Sequence, residues 1–401
     1  MCLTERSKAK HPAMSDPTII ADRTTARIVI VGAGAAGLAC AWRLAGAGLA
    51  VTLVEAGEPG TGALRASGGM LAAGFESAVE LDPDHPLAGD FAALARAAAD
   101  LWPSWSKRLQ DESGRALGYE RRGSLTPFFT AEDSERAAAA VERARALDVE
   151  TARLDADGLA AEEPSLARAL GAVVFPRDGQ IDNRALGAAL TDAARTRGVE
   201  IVRGREVTRL ERAAGRVSGV ALDLGDPIAA DAVILAAGAA AAPGAPDTVA
   251  MEPVKGQMIA FAADRPLAPS RIIRGFSIYL AAKPAMRLVA GATSEPGHDD
   301  GLTDDEAVAR LTEAARAAIP GLAAVPVMER WAGVRPRPAD CMPIIGELEP
   351  GLFMAGGGYR NGVLLAPAIA EALAAKLGVG EDWPTARPFT PDRPTLVTRE
   401  R

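Results

Sequence analysis

Three glycines and one acid give the chain its clearest chemistry. Gly32, Gly34 and Gly37 stand in GxGxxG spacing (Gly32-Ala33-Gly34-Ala35-Ala36-Gly37), and Glu55 follows 18 residues after the last of them. In such a pattern Gly32 permits a tight turn, Gly34 lets the backbone approach a pyrophosphate, and Gly37 lets a helix pack on a strand. Glu55 then accepts from a ribose hydroxyl. The chemistry is dinucleotide binding, and the side chains for several others are missing. His11, His85 and His298 are too scattered for a zinc site of local spacing, so no metal site is expected. Cys2, Cys40 and Cys341 form no CxxC and are odd in number, which argues against a disulfide framework or a redox dithiol and fits a reducing compartment. A net charge of -8 supplies no field to attract nucleic acid.

The elements that must hold these residues can be read around them. Arg27–Val31 (RIVIV) is a β-branched run of the kind buried in a parallel sheet, Leu38–Ala47 continues in helix formers, and Val51–Val54 is a second strand ending at Glu55. A lone GxGxxG is weak in a chain this rich in alanine and glycine. Strand, turn, helix, strand and acid within ~30 residues form a nucleotide-binding unit. Ala230–Gly238 reads as another buried strand, and Leu352–Ala355 runs into Gly356-Gly357-Gly358-Tyr359-Arg360-Asn361-Gly362 and then the helical Val363–Leu377. The second glycine cluster breaks GxGxxG at Asn361, so no nicotinamide dinucleotide is expected beside the first cofactor. The electrons must then come from the substrate.

At 401 residues the chain is long enough for two or three domains. Residues 1–25 mix charge with Pro and Thr and read as a disordered tail, with Met14 as an alternative start. The longest apolar run, Ala232–Pro243, is shorter than the ~20 residues that span a bilayer and contains Gly238, so a cytoplasmic protein without membrane contact is expected.

With these elements placed, the chain resembles the glycine oxidase branch of the D-amino-acid-oxidase-like (DAO) FAD-dependent oxidoreductases, from about residue 27 to 390. The resemblance is carried by ordered blocks: the GxGxxG unit, Ala66–Leu71 (ASGGML), Asp178–Arg184 (DGQIDNR), Pro253–Met258 (PVKGQM), Arg287–Thr293 (RLVAGAT), Trp331–Pro336 (WAGVRP), Pro343–Gly346 (PIIG) and Tyr359–Pro367 (YRNGVLLAP). It implies an α/β fold: a Rossmann-like FAD-binding domain of the glutathione-reductase-like, DAO type, with an interleaved α+β substrate domain containing an antiparallel sheet. The flavin domain is expected from residues 26–78, 175–250 and 326–385, the substrate domain from 79–174 and 251–325, and an extended tail from 386–401.

The same resemblance implies roles for single residues. FAD contacts fall to Ala35 and Ala36 in the turn, Glu55 and Ala56 at the ribose, Val207 at the adenine, and Ala63, Leu64, Gly68, Gly69 and Met70 near the isoalloxazine. Gly358, Tyr359, Arg360, Asn361, Gly362, Val363 and Leu364 would meet the flavin N1/C2=O edge, where a helix N-terminus suits negative charge. Arg335 matches the arginine that grips a substrate carboxylate, Tyr279 the tyrosine beside it, and Arg360 sits at the mouth of the site. Cys341 lies past the place of a flavin thioether, so the FAD is expected to be non-covalent and Cys341 a small buried filler.

The chain departs from the best-known pattern at Ser277, Ser294 and Gly358, where a histidine, a methionine and a histidine stand. The activity implied is oxidative deamination of glycine or a small D- or N-methyl amino acid: hydride passes from Cα to flavin N5 with no protein base, O2 is the acceptor, and imine, 2-oxo acid, ammonia and H2O2 are the products. The expected partners are that substrate and O2, with the protein forming a homo-oligomer or passing its imine to a thiazole synthase of thiamine biosynthesis. The alternatives are a D-amino-acid dehydrogenase that reduces a quinone, or a non-catalytic FAD-binding subunit.

Overall fold

Residues 26–240, 244–264 and 266–396 are described by the computed structural model, so the expectations for the 1–25 tail, Met14 and residues 397–401 lie outside it. Arg27–Val31 is a strand buried from Ile28 onward, as its β-branched run predicts. It lies between parallel neighbours, Ala50–Glu55 on one side and Ala232–Leu235 on the other. Glu200–Arg203 and Leu352–Gly356 extend the parallel sheet, and Ile344–Glu349 closes it as an antiparallel edge, making six strands. Helices Ala35–Ala45, Asn183–Thr196 and Gly362–Lys376 pack into one core with the sheet. A three-stranded antiparallel sheet, Val207–Ala213, Arg216–Leu222 and Ile228–Ala229, lies beside it.

The second sheet has nine strands, running Glu295–Pro296, Glu252–Ala262, Arg287–Gly291, Tyr279–Lys283, Ile272–Arg274, Ser124–Phe128, Gly171–Phe175 and Ala152–Asp155, with Val327–Arg337 paired on Glu252–Ala262. Its pairs are antiparallel except Ile272–Arg274 with Ser124–Phe128. Its own apolar core includes Ile259, Phe261, Leu280 and Leu311.

Three segments sit differently from their expected places. Helix Ala88–Ser113, expected in the substrate domain, packs in the nucleotide-sheet core: Phe91, Leu94, Trp102, Trp105 and Leu109 form its buried face, and Trp102 Nε1 donates to Leu364 O at 3.0 Å. Strand Val327–Arg337, expected with the flavin domain, belongs to the nine-stranded sheet because it pairs along the length of Glu252–Ala262. Residues 386–396 are not an extended tail. Phe389 is fully buried, and the Arg393 guanidinium bonds the Asp340 carboxylate at 2.7 Å and the Pro343 carbonyl at 2.8 Å.

Candidate flavin and substrate site

The GxGxxG turn has the geometry its glycines require. Gly32 has φ +101°, and a Cβ there would stand 2.5 Å from Ala236 O; one on Gly37 would stand 1.9 Å from Gly32 O. Gly34, by contrast, has nothing within 4 Å of a Cβ position. It N-caps helix Ala35–Ala45, whose start carries neither a side-chain cap nor an acid. Unsatisfied helix N–H groups facing open space make a diphosphate site. Glu55 is fixed by Ala33 N at 2.7 Å and Gly57 N at 2.8 Å, which leaves lone pairs for a ribose. Ala56 is exposed next to it, and Val207 packs in the same core cluster as Val31 and Val54. Ala35 and Ala36 lie half-buried in the first turn. These residues fit a dinucleotide.

The segment expected to flank the isoalloxazine is held from both domains. Asn183 Nδ2 donates to Leu64 O at 3.0 Å and Arg65 O at 2.7 Å, and Ile181 N donates to Gly69 O at 2.8 Å. Trp331 Nε1 donates to Ala66 O at 2.9 Å. Gly333 allows this approach, because a Cβ there would lie 2.3 Å from the Ala66 Cβ. Gly68 makes a similar approach to Tyr279, since a Cβ there would lie 2.8 Å from the hydroxyl. Residues 64–70 therefore lie against one face of the nine-stranded sheet, with Ala63 exposed at their start.

On that face, Tyr279, Gly291, Met258 and Trp331 form one cross-strand row. The Tyr279 hydroxyl donates to Met258 Sδ at 3.0 Å, and burial pushes its pKa up to about 12. Arg335 stands four residues beyond Trp331 and so projects to the same face. Its guanidinium lies back over Gly256, where a Cβ would come within 2.3 Å of Nη2. Nη1 donates to Thr293 O at 3.2 Å, and among the described residues no carboxylate pairs with it. Burial draws its pKa below the usual arginine value, with the neighbouring Arg360 charge adding to this.

The second glycine cluster meets the site from the nucleotide side. Helix Gly362–Lys376 is capped by Asn361 with no side-chain bond, and Gly362 faces open space. Gly358 is buried, Tyr359 takes a left-handed φ of +45°, and Val363 and Leu364 are buried beneath the helix start. This end of the helix fits the anionic edge of a reduced flavin.

Sequence reasoning did not anticipate the carboxylate that Arg360 and Asn361 reach. Glu76, 6% exposed, accepts from Arg360 Nε at 3.3 Å, Asn361 Nδ2 at 3.3 Å and Arg274 Nη2 at 2.5 Å. Burial alone would raise the Glu76 pKa, but the Arg360 and Arg274 charges outweigh it and hold the carboxyl below the ordinary range. Arg274 is 3% exposed, donates to Met70 Sδ at 3.2 Å and lies 4.0 Å over the Phe75 ring. No local motif marks Glu76 or Arg274, since 198 residues separate them. Of the departures, Ser277 and Ser294 are exposed. Cys341 is exposed in the turn between strands Val327–Arg337 and Ile344–Glu349, outside the packed core, which corrects its reading as a buried filler.

A glycine turn built for a dinucleotide, set where the parallel sheet meets the nine-stranded one, defines the class: an FAD-dependent oxidoreductase. The chain belongs to the DAO family of FAD dependent oxidoreductases, whose model matches residues 27–376. It is 33% identical to a glycine oxidase of Geobacillus kaustophilus over 85% of this chain and 89% of that protein. A solved structure of glycine oxidase from that organism matches at TM-score 0.83 and 30% identity, covering 92% of this chain and 99% of that one. The chain is 32% identical to the bifunctional protein ThiO/ThiG of Nostoc over 87% of its own length, but spans only 52% of that protein. It is also 30% identical to the hydrogen cyanide synthase subunit HcnC of Pseudomonas aeruginosa, over 89% of this chain and 93% of that one. Among the described residues no helix is long and apolar enough to cross a membrane, and no cluster of His, Cys, Asp or Glu could hold a metal ion.

Proposed function

We propose that the protein is an FAD-dependent oxidase of glycine or a small D- or N-methyl amino acid, with the cofactor held non-covalently. The observation that carries this reading is Arg335, a half-buried guanidinium whose one hydrogen-bond partner among the described residues is the Thr293 carbonyl, on the face that meets residues 64–70. A guanidinium so placed is completed by a carboxylate, which it binds in bidentate fashion. Tyr279 supports the same carboxylate by turning its hydroxyl proton away from Met258 Sδ, and its raised pKa keeps the phenol protonated as a donor. When bound, FAD supplies the hydride acceptor at N5 and returns the electrons to O2 as H2O2.

The residues of the chain hold and orient. Arg335 and Tyr279 fix the carboxylate, so the substrate Cα–H is aimed at the cofactor while its amine, as free base, supplies the electron pair that forms the C=N bond. Water then hydrolyses the imine to a 2-oxo acid and ammonia, or methylamine where the substrate is N-methylated. No protein base is assigned. The relation to the bifunctional ThiO/ThiG protein supports a further step, in which glycine imine passes to a thiazole synthase in thiamine formation.

The relation to HcnC, a subunit by name, favours a second reading as a non-catalytic FAD-binding subunit, beside the alternative of a D-amino-acid dehydrogenase that passes electrons to a quinone. A peroxide assay of the FAD-loaded protein across glycine, sarcosine, D-alanine and D-proline separates the two. Peroxide with any of them supports the oxidase; none, with reduction of an artificial quinone, replaces it by the dehydrogenase.

A further inference from the structure

The charges of three arginines act on the Tyr279 hydroxyl: Arg335, Arg274 and Arg360. They are not equivalent. Arg274 and Arg360 have Glu76 between them, and Glu80 Oε1 adds a second carboxylate 2.8 Å from Arg360 Nη2 and 3.8 Å from Arg274 Nη2. Within this group of five side chains, three positive and two negative charges leave one net positive charge, and Arg335 is the arginine that has no carboxylate partner among the described residues.

The remaining surfaces of Arg274 are also occupied. Its Nη1 donates to Met70 Sδ, its plane covers Phe75, and the Tyr279 ring lies 5.8 Å away, so it offers no edge to a ligand. Arg360, 34% exposed at its side chain, keeps Nε and Nη2 on the two carboxylates. A second anionic group entering this wall would displace a buried carboxylate from two guanidiniums or lie against it as a like charge.

We propose that Glu76, assisted by Glu80, is a specificity-determining residue: by occupying Arg274 and Arg360 it leaves Arg335 as the one of these three arginines without a carboxylate partner among the described residues, so the site accepts amino acids with a single carboxylate and rejects those with a second. The inference rests on the amino-acid reading of the site and adds the substrate class. Glu76 acts without touching substrate; it sets how many anions the wall can hold.

The experiment compares kcat/KM of the FAD-loaded protein for sarcosine, N-ethylglycine and iminodiacetate, the last being glycine with a carboxymethyl group on nitrogen. N-ethylglycine controls for bulk. The expected result is N-ethylglycine within ~10-fold of sarcosine and iminodiacetate at least ~100-fold below N-ethylglycine, the size of a like-charge penalty of a few kcal/mol. Glu80→Gln and Glu76→Gln should each narrow that gap ~10-fold or more by raising the iminodiacetate value. Glu80, more exposed than Glu76, decides the matter if the Glu76 variant does not fold. Equal use of iminodiacetate and N-ethylglycine by the unaltered protein, or an unchanged gap in the folded variants, overturns the proposal. If sarcosine is not oxidised, the amino-acid reading has failed by itself. Thermal stabilisation by malonate compared with acetate then reads the same preference without turnover, with equal stabilisation overturning it and acetate preference upholding it.

Discussion

Arg335 and Arg274 are both arginines on strands of one antiparallel sheet, and both face the flavin-flanking segment, yet they are set in opposite ways. Arg274 is saturated: a carboxylate, a thioether and an aromatic face occupy it. Arg335 has one carbonyl and a space kept open by Gly256. A buried charge with its counter-charge in the chain contributes to the fold, and a buried charge without one is held at a cost that binding can offset. Under the proposed function, the contrast separates the arginine that builds the site from the one that uses it.

That contrast can be broken by mutation. Arg335→Ala should lower kcat/KM for glycine or sarcosine by ~10³, mostly through KM, with the bound-flavin spectrum intact. An unchanged KM removes Arg335 from the site. Glu76→Ala should destabilise the fold by about 3–4 kcal/mol in urea denaturation, because it strands two guanidiniums, whereas Arg335→Met should leave stability unchanged or raise it. Equal losses in both would erase the distinction.

Lys283 supplies an intermediate case. It is 7% exposed and bonded to neutral acceptors, Gln180 Oε1 at 3.1 Å and Ile181 O at 2.9 Å, and burial pushes its pKa down to about 7. Unlike arginine, it can relieve its position by losing a proton. Between this folded pKa and the higher unfolded one, the unfolded chain binds more protons, so stability rises with pH above about 7. The gain from pH 7 to 9 should therefore exceed that of Lys283→Met by on the order of 2 kcal/mol in denaturant titrations at each pH. Tyr279→Phe, which removes one donor near the carboxylate, should raise KM by about five- to tenfold, roughly 1 kcal/mol, with a smaller change in kcat.

The sequence was most legible where the chemistry is local. Gly32, Gly34, Gly37 and Glu55 lie within one strand–helix–strand unit, so spacing alone was enough to read that unit. The blocks around Trp331 and Gly256 were visible as resemblance, but their physical reasons needed the sheet register: Gly333 admits Ala66, and Gly256 admits the Arg335 guanidinium. Glu76 and Arg274 carried no signal, being common residue types brought together only by tertiary packing. Helix Ala88–Ser113 was assigned to the wrong layer for a similar reason: its apolar face shows that it packs, but the partner surface is set by Gly362–Lys376, far along the chain.

Strand Val327–Arg337 has one more consequence. Trp331 ties it to residues 64–70, and Arg335 lies two alternations further on, each residue advancing about 3.3 Å. Under the proposed function the strand is a ruler between the cofactor and the carboxylate, graduated in backbone steps and stiffened by pairing along Glu252–Ala262. Under the proposed function, an amino acid with one extra carbon between carboxylate and amine is too long for the marks. If it satisfies Arg335, its reactive C–H overshoots the flavin.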